Sequence, residues 1–160
     1  RAPARCVATG KALLAAQGEA ALKGLAETLH GFTPKSITDA DAFLQEMAGI
    51  RTRGYATNAG EWQETVCGVA APIHDPAGGV IAAIGVSGPA ERLRPGRFKA
   101  LGSEVVAAAD AVERALAGDA DTAAAPFDPC AIGSGGASLS PAPGRPTPHP
   151  QQEEKRRASE

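Results

Sequence analysis

VAAPIHDPAGGVIAAIGVSGP, residues 69–89, decides how this chain folds. Two apolar arms flank a centre of turn residues, Asp75 to Gly79, and that pattern predicts a β-hairpin. The arms extend over Thr65–Ile73 and Gly79–Ser87. Pro72 has no N–H to give to a ladder, so it belongs at an edge or a strand end. Alternate side chains share a face. On the second arm Val80, Ala82, Ile84 and Val86 form one face, and Ile81, Ala83, Gly85 and Ser87 form the other. On the first arm Val66, Gly68 and Ala70 share a face. Each arm therefore has a face on which small residues cluster. If those faces coincide, the sheet carries a shallow dent with a hydroxyl at its side. The missing volume has two explanations that the sequence leaves open. Either a ligand fills the dent, or the glycines let a helix approach the sheet closely.

Working outward, helical patterns precede and follow the hairpin. ATGKALLAAQ reads as a short helix with Thr9 as its N-cap. EAALKGLAETLHG follows, with Leu22, Leu25, Ala26 and Leu29 at helical spacing and Gly31 as the stop. TDADAFLQEMAGIRTRG predicts a third helix with Thr38 as cap, Asp41 as the acid of a capping box and Gly54 as terminator. Its apolar face is Phe43, Leu44, Met47 and Ile50. YATN is a short candidate strand before the hairpin. From about Arg97 to Ala117 a long amphipathic helix carries the stripe Phe98, Leu101, Val105, Ala109, Val112 and Leu116. Helices, a hairpin and a helix make an α+β fold, a sheet with helices packed on it. One hairpin and one short strand are a small sheet, and isolated hairpins are marginal. The sheet is therefore expected to be completed by another chain or by strands preceding Arg1. The chain opens on Arg1 rather than Met, which fits a truncation.

Composition bounds the function. The 160 residues allow one ordinary domain, residues 1–118, followed by a Pro/Ala/Gly-rich tail at 119–160. SPAPGRPTPHP holds five prolines and no periodicity, so the tail is read as disordered, with nucleic-acid contact by its KRR run as the alternative. The formal net charge of -2 and an aromatic content of 4% do not favour nucleic-acid binding. No apolar run reaches the roughly 20 residues of a membrane helix, and no signal peptide is visible. Three widely spaced cysteines, Cys6, Cys67 and Cys130, fit a reducing cytoplasm.

No motif supports an enzyme. Gly10-Lys11 lacks the glycine five residues earlier and the following Ser or Thr that a phosphate loop needs. The N–H groups near Ala8, Thr9 and Gly10 can still receive a small anion, although an ordinary capped helix is the bland reading. GVSGP has Pro89 where a nucleophile elbow needs Gly. Cys67 lacks an evident basic partner. His74 is read as a solvated turn residue. Glu61 and Glu64 are explained by a polar loop entering a strand. The Cys and His spacings match no metal site, and no cofactor is expected.

RTRGYATNAGEWQETVCGVAAPIHDPAGGVIAAIGVSGPAERL nevertheless resembles the C-terminal effector-binding domain of IclR-type bacterial transcription regulators. The features that carry the likeness are Arg53-Gly54-Tyr55, Glu61, Ala70-Ala71-Pro72-Ile73, Asp75, Val86-Ser87-Gly88-Pro89 and Arg92-Leu93. Upstream, ATGKALLA and TPKSIT resemble further family segments, so the likeness covers about residues 3–117 in one order. The resemblance implies a GAF-like antiparallel sheet with flanking helices. It implies that the winged helix-turn-helix, the linker helix and the first strands of the effector domain are absent from this chain.

By position, the resemblance maps an effector pocket onto Ala8, Thr9, Asn58, Val66, Gly68, Gly85 and Ser87. Asn58 stands where many members carry an acid, and Gly68 and Gly85 are smaller and less polar than in some. Those departures point toward a bulkier, more apolar ligand such as an aromatic acid. The resemblance also implies homodimers or tetramers, and operator DNA bound only through the absent winged helix-turn-helix. The leading expectation is thus a cytoplasmic sensor of a small organic acid that modulates operator binding. Its rivals are an oligomerisation module or truncated remnant without ligand or DNA binding of its own, and an enzyme using Cys67.

Overall fold

The computed structural model describes residues 2–118. The expected tail at 119–160, with Cys130, lies outside the described residues. A 3-10 turn (Ala4–Cys6) leads into α1 (Ala8–Ala15), α2 (Glu19–Ala26) and α3 (Ala40–Arg53). Then come β1 (Ala56–Ala59), β2 (Val66–His74), β3 (Val80–Pro89), a second 3-10 turn (Pro95–Arg97) and α4 (Phe98–Leu116). The strands form one antiparallel sheet in the order β1-β2-β3, and the fold is the expected α+β.

The hairpin forms where its alternation and turn predict. The Asp75 carboxylate accepts hydrogen bonds from Ala77 N and Gly79 N at 3.0 and 2.8 Å, and Gly78 takes φ 85°. Register pairs Gly68 with Ser87, Ala70 with Gly85 and Pro72 with Ala83. Paired residues share a face, so the two small-residue faces coincide. β1 pairs only with Cys67 to Ala70, which leaves β2 a local edge at Pro72 and His74. A proline is tolerated there, and the carboxylate of Glu113 takes the His74 N–H at 2.7 Å. His74 is therefore not a turn residue. It ends β2, at a β-bulge after Ile73, and its ring nitrogen Nδ1 lies 2.7 Å from Glu113 Oε1.

The helix boundaries depart from expectation where capping chemistry decides them. α1 starts at Ala8, with Val7 as a cap that gives no side-chain bond, so Thr9 lies inside the first turn. Gly10 is required there, because a Cβ would collide with the backbone of Ala4. α2 stops at Ala26, earlier than Gly31 suggests, and the Thr28 hydroxyl takes the Leu25 carbonyl at 2.9 Å. Asp39, not Thr38, caps α3, its carboxylate accepting from Ala42 N at 2.8 Å. Gly54 closes α3 with φ 81°, as read.

Two cores flank the sheet. Ala8, Ala12 and Ala15 of α1, Leu22 and Ala26 of α2, and Phe43, Met47 and Ile50 of α3 pack on Ala56 and Ala70. On the opposite face Val105 and Ala109 of α4 pack on Val69, Ala71 and Ile73, helped by Phe98, Leu101 and Val112. Leu116, the last residue of the predicted stripe, is 51% exposed.

Candidate functional site

The hollow on the α1 side of the hairpin has a volume of about 300 Å³. That is the lower end of the roughly 300–1,000 Å³ typical of small-molecule pockets. Its lining contains Ala8, Thr9, Asn58, Val66, Gly68, Gly85 and Ser87, together with Val7, Trp62 and Val86. All seven residues singled out in the sequence thus surround one cavity. The tip of α1, Asn58 on β1 and the paired ends of β2 and β3 bring them together.

The polar groups around the hollow differ in availability. The first intrahelical bond of α1 runs from Lys11 N to Val7 O at 2.9 Å, so the N–H groups of residues 8–10 have no helical acceptor. No side chain caps them. The Thr9 side chain is exposed beside them. Ser87 Oγ donates to Cys67 O at 3.2 Å and keeps its lone pairs for accepting. Asn58 is committed to the loop: its Oδ1 accepts from Gly60 N and Glu61 N at 3.1 and 2.8 Å, and its Nδ2 donates to Val66 O at 3.4 Å. It shapes the wall and has only part of its amide left for a ligand.

The glycines have separate reasons. A Cβ on Gly85 would lie 2.6 Å from Ala70 Cβ and 2.5 Å from Val69 O, so β2 itself requires glycine there. Neither sequence explanation included that close strand contact. A Cβ on Gly68 would sit a tight 3.2 Å from Val86 O, 3.5 Å from Ala8 Cβ and 3.6 Å from Ser87 Oγ. At Gly68 close approach of the helix and an open hollow coexist.

Sequence reasoning passed over the charged cluster behind this wall. Lys11 is 1% exposed, and its Nζ lies 3.0 Å from Glu46 Oε1 and 2.8 Å from Glu61 Oε1. Arg53 Nη2 meets Glu46 Oε1 at 2.8 Å. Burial pushes the Glu61 carboxyl above its ordinary value, outweighing the neighbouring ammonium. Burial acts in the same direction on Glu46, but the bonds and charges of Arg53 and Lys11 prevail and hold it below the ordinary value. The signal was present in the pattern: Ala8, Lys11, Ala12 and Ala15 share one helix face, so the lysine had to be buried with a partner. Burial also raises the Cys67 thiol, against a weaker pull from Lys35, so this cysteine is not an activated nucleophile.

A second cavity, about 370 Å³, lies beside the uncovered end of β2, between Ala12, Ile50, Ala71 and Val106. Much of its polar rim is already engaged, although the exposed Asp110 carboxylate has no partner among the described residues. Arg51 donates to the carbonyls of Ala15 and Gln17, and His74 is bonded to Glu113. Among the described residues no cluster of three or more His, Cys, Asp or Glu could hold a metal ion, and no helix is long and apolar enough to cross a membrane.

An α+β sheet with a hollow under one helix tip defines the class of domain, and comparison identifies its family. The family profile described as bacterial transcriptional regulator IclR C-terminal matches residues 1–114. The chain belongs to the IclR family of bacterial transcriptional regulators. It is 36% identical over 118 residues to the HTH-type transcriptional repressor AllR of Salmonella typhimurium, covering 72% of this chain and 43% of that protein. The chain thus spans less than half the length of this curated relative. Among solved structures it resembles the Agobacterium tumefaciens repressor BlcR, with a TM-score of 0.65 and 30% identity, over 71% of this chain and 46% of that one. It also resembles the inducer-binding domain of an Acinetobacter PobR double mutant in complex with 3-hydroxybenzoic acid. There the TM-score is 0.64 and the identity 25%, over 69% of this chain and 65% of that one. These relatives are transcription factors and not enzymes.

Proposed function

We propose that these residues form the effector-sensing part of an IclR-type regulator, and that a small organic acid binds in the hollow of about 300 Å³. One observation carries the reading: an uncapped helix tip and the small-residue ends of two paired strands open onto the same cavity. The carboxylate sits at the N–H groups of residues 8–10, where the helix dipole favours negative charge, with the Thr9 hydroxyl as a further donor. The body of the ligand lies over Gly68, against Val66 and Trp62, which suits an aromatic acid. Binding shifts the balance between assembly states, dimer or tetramer, and through them operator affinity. DNA contact belongs to a winged helix-turn-helix outside these residues.

The domain reading includes completion from outside. Among the described residues nothing pairs with the outer edge of β3. That edge runs for ten residues without a charge, and Ile81 and Val86 are 55% and 43% exposed. An unprotected apolar edge of this kind takes a further strand. The same edge favours the second reading, an oligomerisation module that senses nothing.

Calorimetry on the chain with 3-hydroxybenzoate and a panel of aliphatic acids separates the two readings. Saturable heat from 3-hydroxybenzoate that Gly68→Val abolishes supports the sensor. A response confined to two-carbon acids overturns the aromatic preference, and no saturable heat across the panel overturns the sensor.

A further inference from the structure

The hollow has two walls that come from distant parts of the chain. Ala8 and Thr9 belong to α1, whereas Asn58 belongs to β1 and Trp62 to the loop that follows it. Lys11 stands one helical turn inside the first wall, and Glu61 stands within the second. Their side chains meet at 2.8 Å, away from water. We infer that Lys11 and Glu61 are positioning residues for the effector hollow, a buried pin that sets the distance between the α1 tip and the Asn58–Trp62 segment.

Three observations converge on that role. First, the backbone of the loop at Glu61 is tied to β1 and to the Thr33–Ser36 segment, and by none of these bonds to α1. Asn58 Oδ1 accepts the Gly60 and Glu61 N–H groups, Thr33 Oγ1 donates to Gly60 O at 2.8 Å, and Ser36 Oγ donates to Glu61 O at 2.7 Å. Among the described residues the Glu61 side chain adds the one polar tie from this loop to α1. Second, the arrangement is a poor device for stability alone. Glu61 Oε2 is buried without a partner, and buried ion pairs often exceed in desolvation what they return in attraction. What such a pair supplies well is a defined location. Third, the neighbour of Glu61 is Trp62, which lines the hollow and packs edge-on against Phe32 at 4.8 Å. Phe32 in turn lies under the Arg5 guanidinium. A displaced Glu61 therefore moves an aromatic wall of the cavity. The pin rests on the sensor reading for its purpose, but its geometry can be tested without a ligand.

Trp62 is the only tryptophan in the chain, so its fluorescence reports on this wall alone. The full chain is compared with Glu61→Ala, which removes the pin while Lys11 keeps Glu46, and with Glu61→Gln, which keeps an acceptor for the ammonium. In Glu61→Ala the acrylamide quenching constant of Trp62 rises about twofold with a red-shifted emission, as expected for a freed loop. Far-UV dichroism is unchanged. Glu61→Gln keeps the wild-type emission, because the hydrogen bond to Lys11 survives. Unchanged quenching in Glu61→Ala overturns the inference, and so does a Gln variant that behaves like Ala.

In a parallel arm, 3-hydroxybenzoate binds Glu61→Ala about tenfold more weakly than wild type, equivalent to about 1.4 kcal/mol. Equal affinity overturns the pin. Absence of binding to the wild type tells against the sensor reading only, and the fluorescence arm then decides the pin by itself.

Discussion

The two faces of the sheet solve different problems. Toward α4, Val69, Ala71 and Ile73 meet Val105 and Ala109 in an apolar layer, with a cavity only at its margin beside Ala71 and Val106. Toward α1, Gly68, Ala70 and Gly85 meet alanines, leaving a hollow at one end and a buried ammonium behind it. Branched side chains fill space and give up room for a guest. Small residues keep room, but their stability then depends on α3 and on charges that must stay paired. The α4 face holds the hairpin together, and the α1 face is the one free to specialise.

The largest effect should come from Lys11→Met. Removing the ammonium leaves the buried Glu61 carboxyl without a cation, while Glu46 keeps Arg53, and costs about 3–5 kcal/mol, read by urea unfolding. Met47→Ala, in the α3 layer on the same face, should cost about 2–5 kcal/mol by opening a cavity at a fully buried site. Val105→Ala, on the α4 face, removes about two methylene equivalents and should cost about 1.5–2 kcal/mol. If Val105→Ala proves costlier than Lys11→Met, the contrast between the faces is wrong. Asp39→Ala, which removes only the α3 cap, should cost about 1 kcal/mol.

The two glutamates sharing Lys11 sharpen the comparison by pH. Glu46 has a folded value below its unfolded one, so its stabilisation is present above the unfolded value and is lost as pH falls. Glu61 has a folded value above its unfolded one, so its contribution is present below the unfolded value and is lost as pH rises through the folded one. Glu46→Gln should flatten the acid side of the stability profile. Glu61→Gln should remove the loss on the neutral side. Unfolding series at about pH 4 and about pH 7 bracket the usual glutamate range and distinguish the two.

The hairpin, the parity of its faces and α4 were legible because alternation over nine or ten residues and a stripe over five turns are long signals. The cavity residues were legible through the family resemblance together with strand parity, which had already grouped Gly68 with Ala70 and Gly85 with Ser87. Shorter signals failed where neighbours compete for one role. Asp39 displaced Thr38 as a cap, and Val7 took the capping position that Thr9 suggested. The Lys11–Glu61 pin spans fifty residues, and no local spacing announces its partner. The need for glycine at Gly85 is a contact between strands, invisible until the register is known. His74 was misplaced because a turn-rich neighbourhood hid its partner on α4.

Gly102 gives α4 a bare patch on which the Tyr55 ring lies so close that a Cβ would fall 2.5–2.7 Å from its carbons. Tyr55 follows the Gly54 terminus of α3, and the Arg53 guanidinium lies over its ring, 5.5 Å from the centroid. The end of α3, the start of β1 and the middle of α4 are thereby clamped into one block. Any side chain added at Gly102 would therefore act as a wedge, prising three elements apart at once.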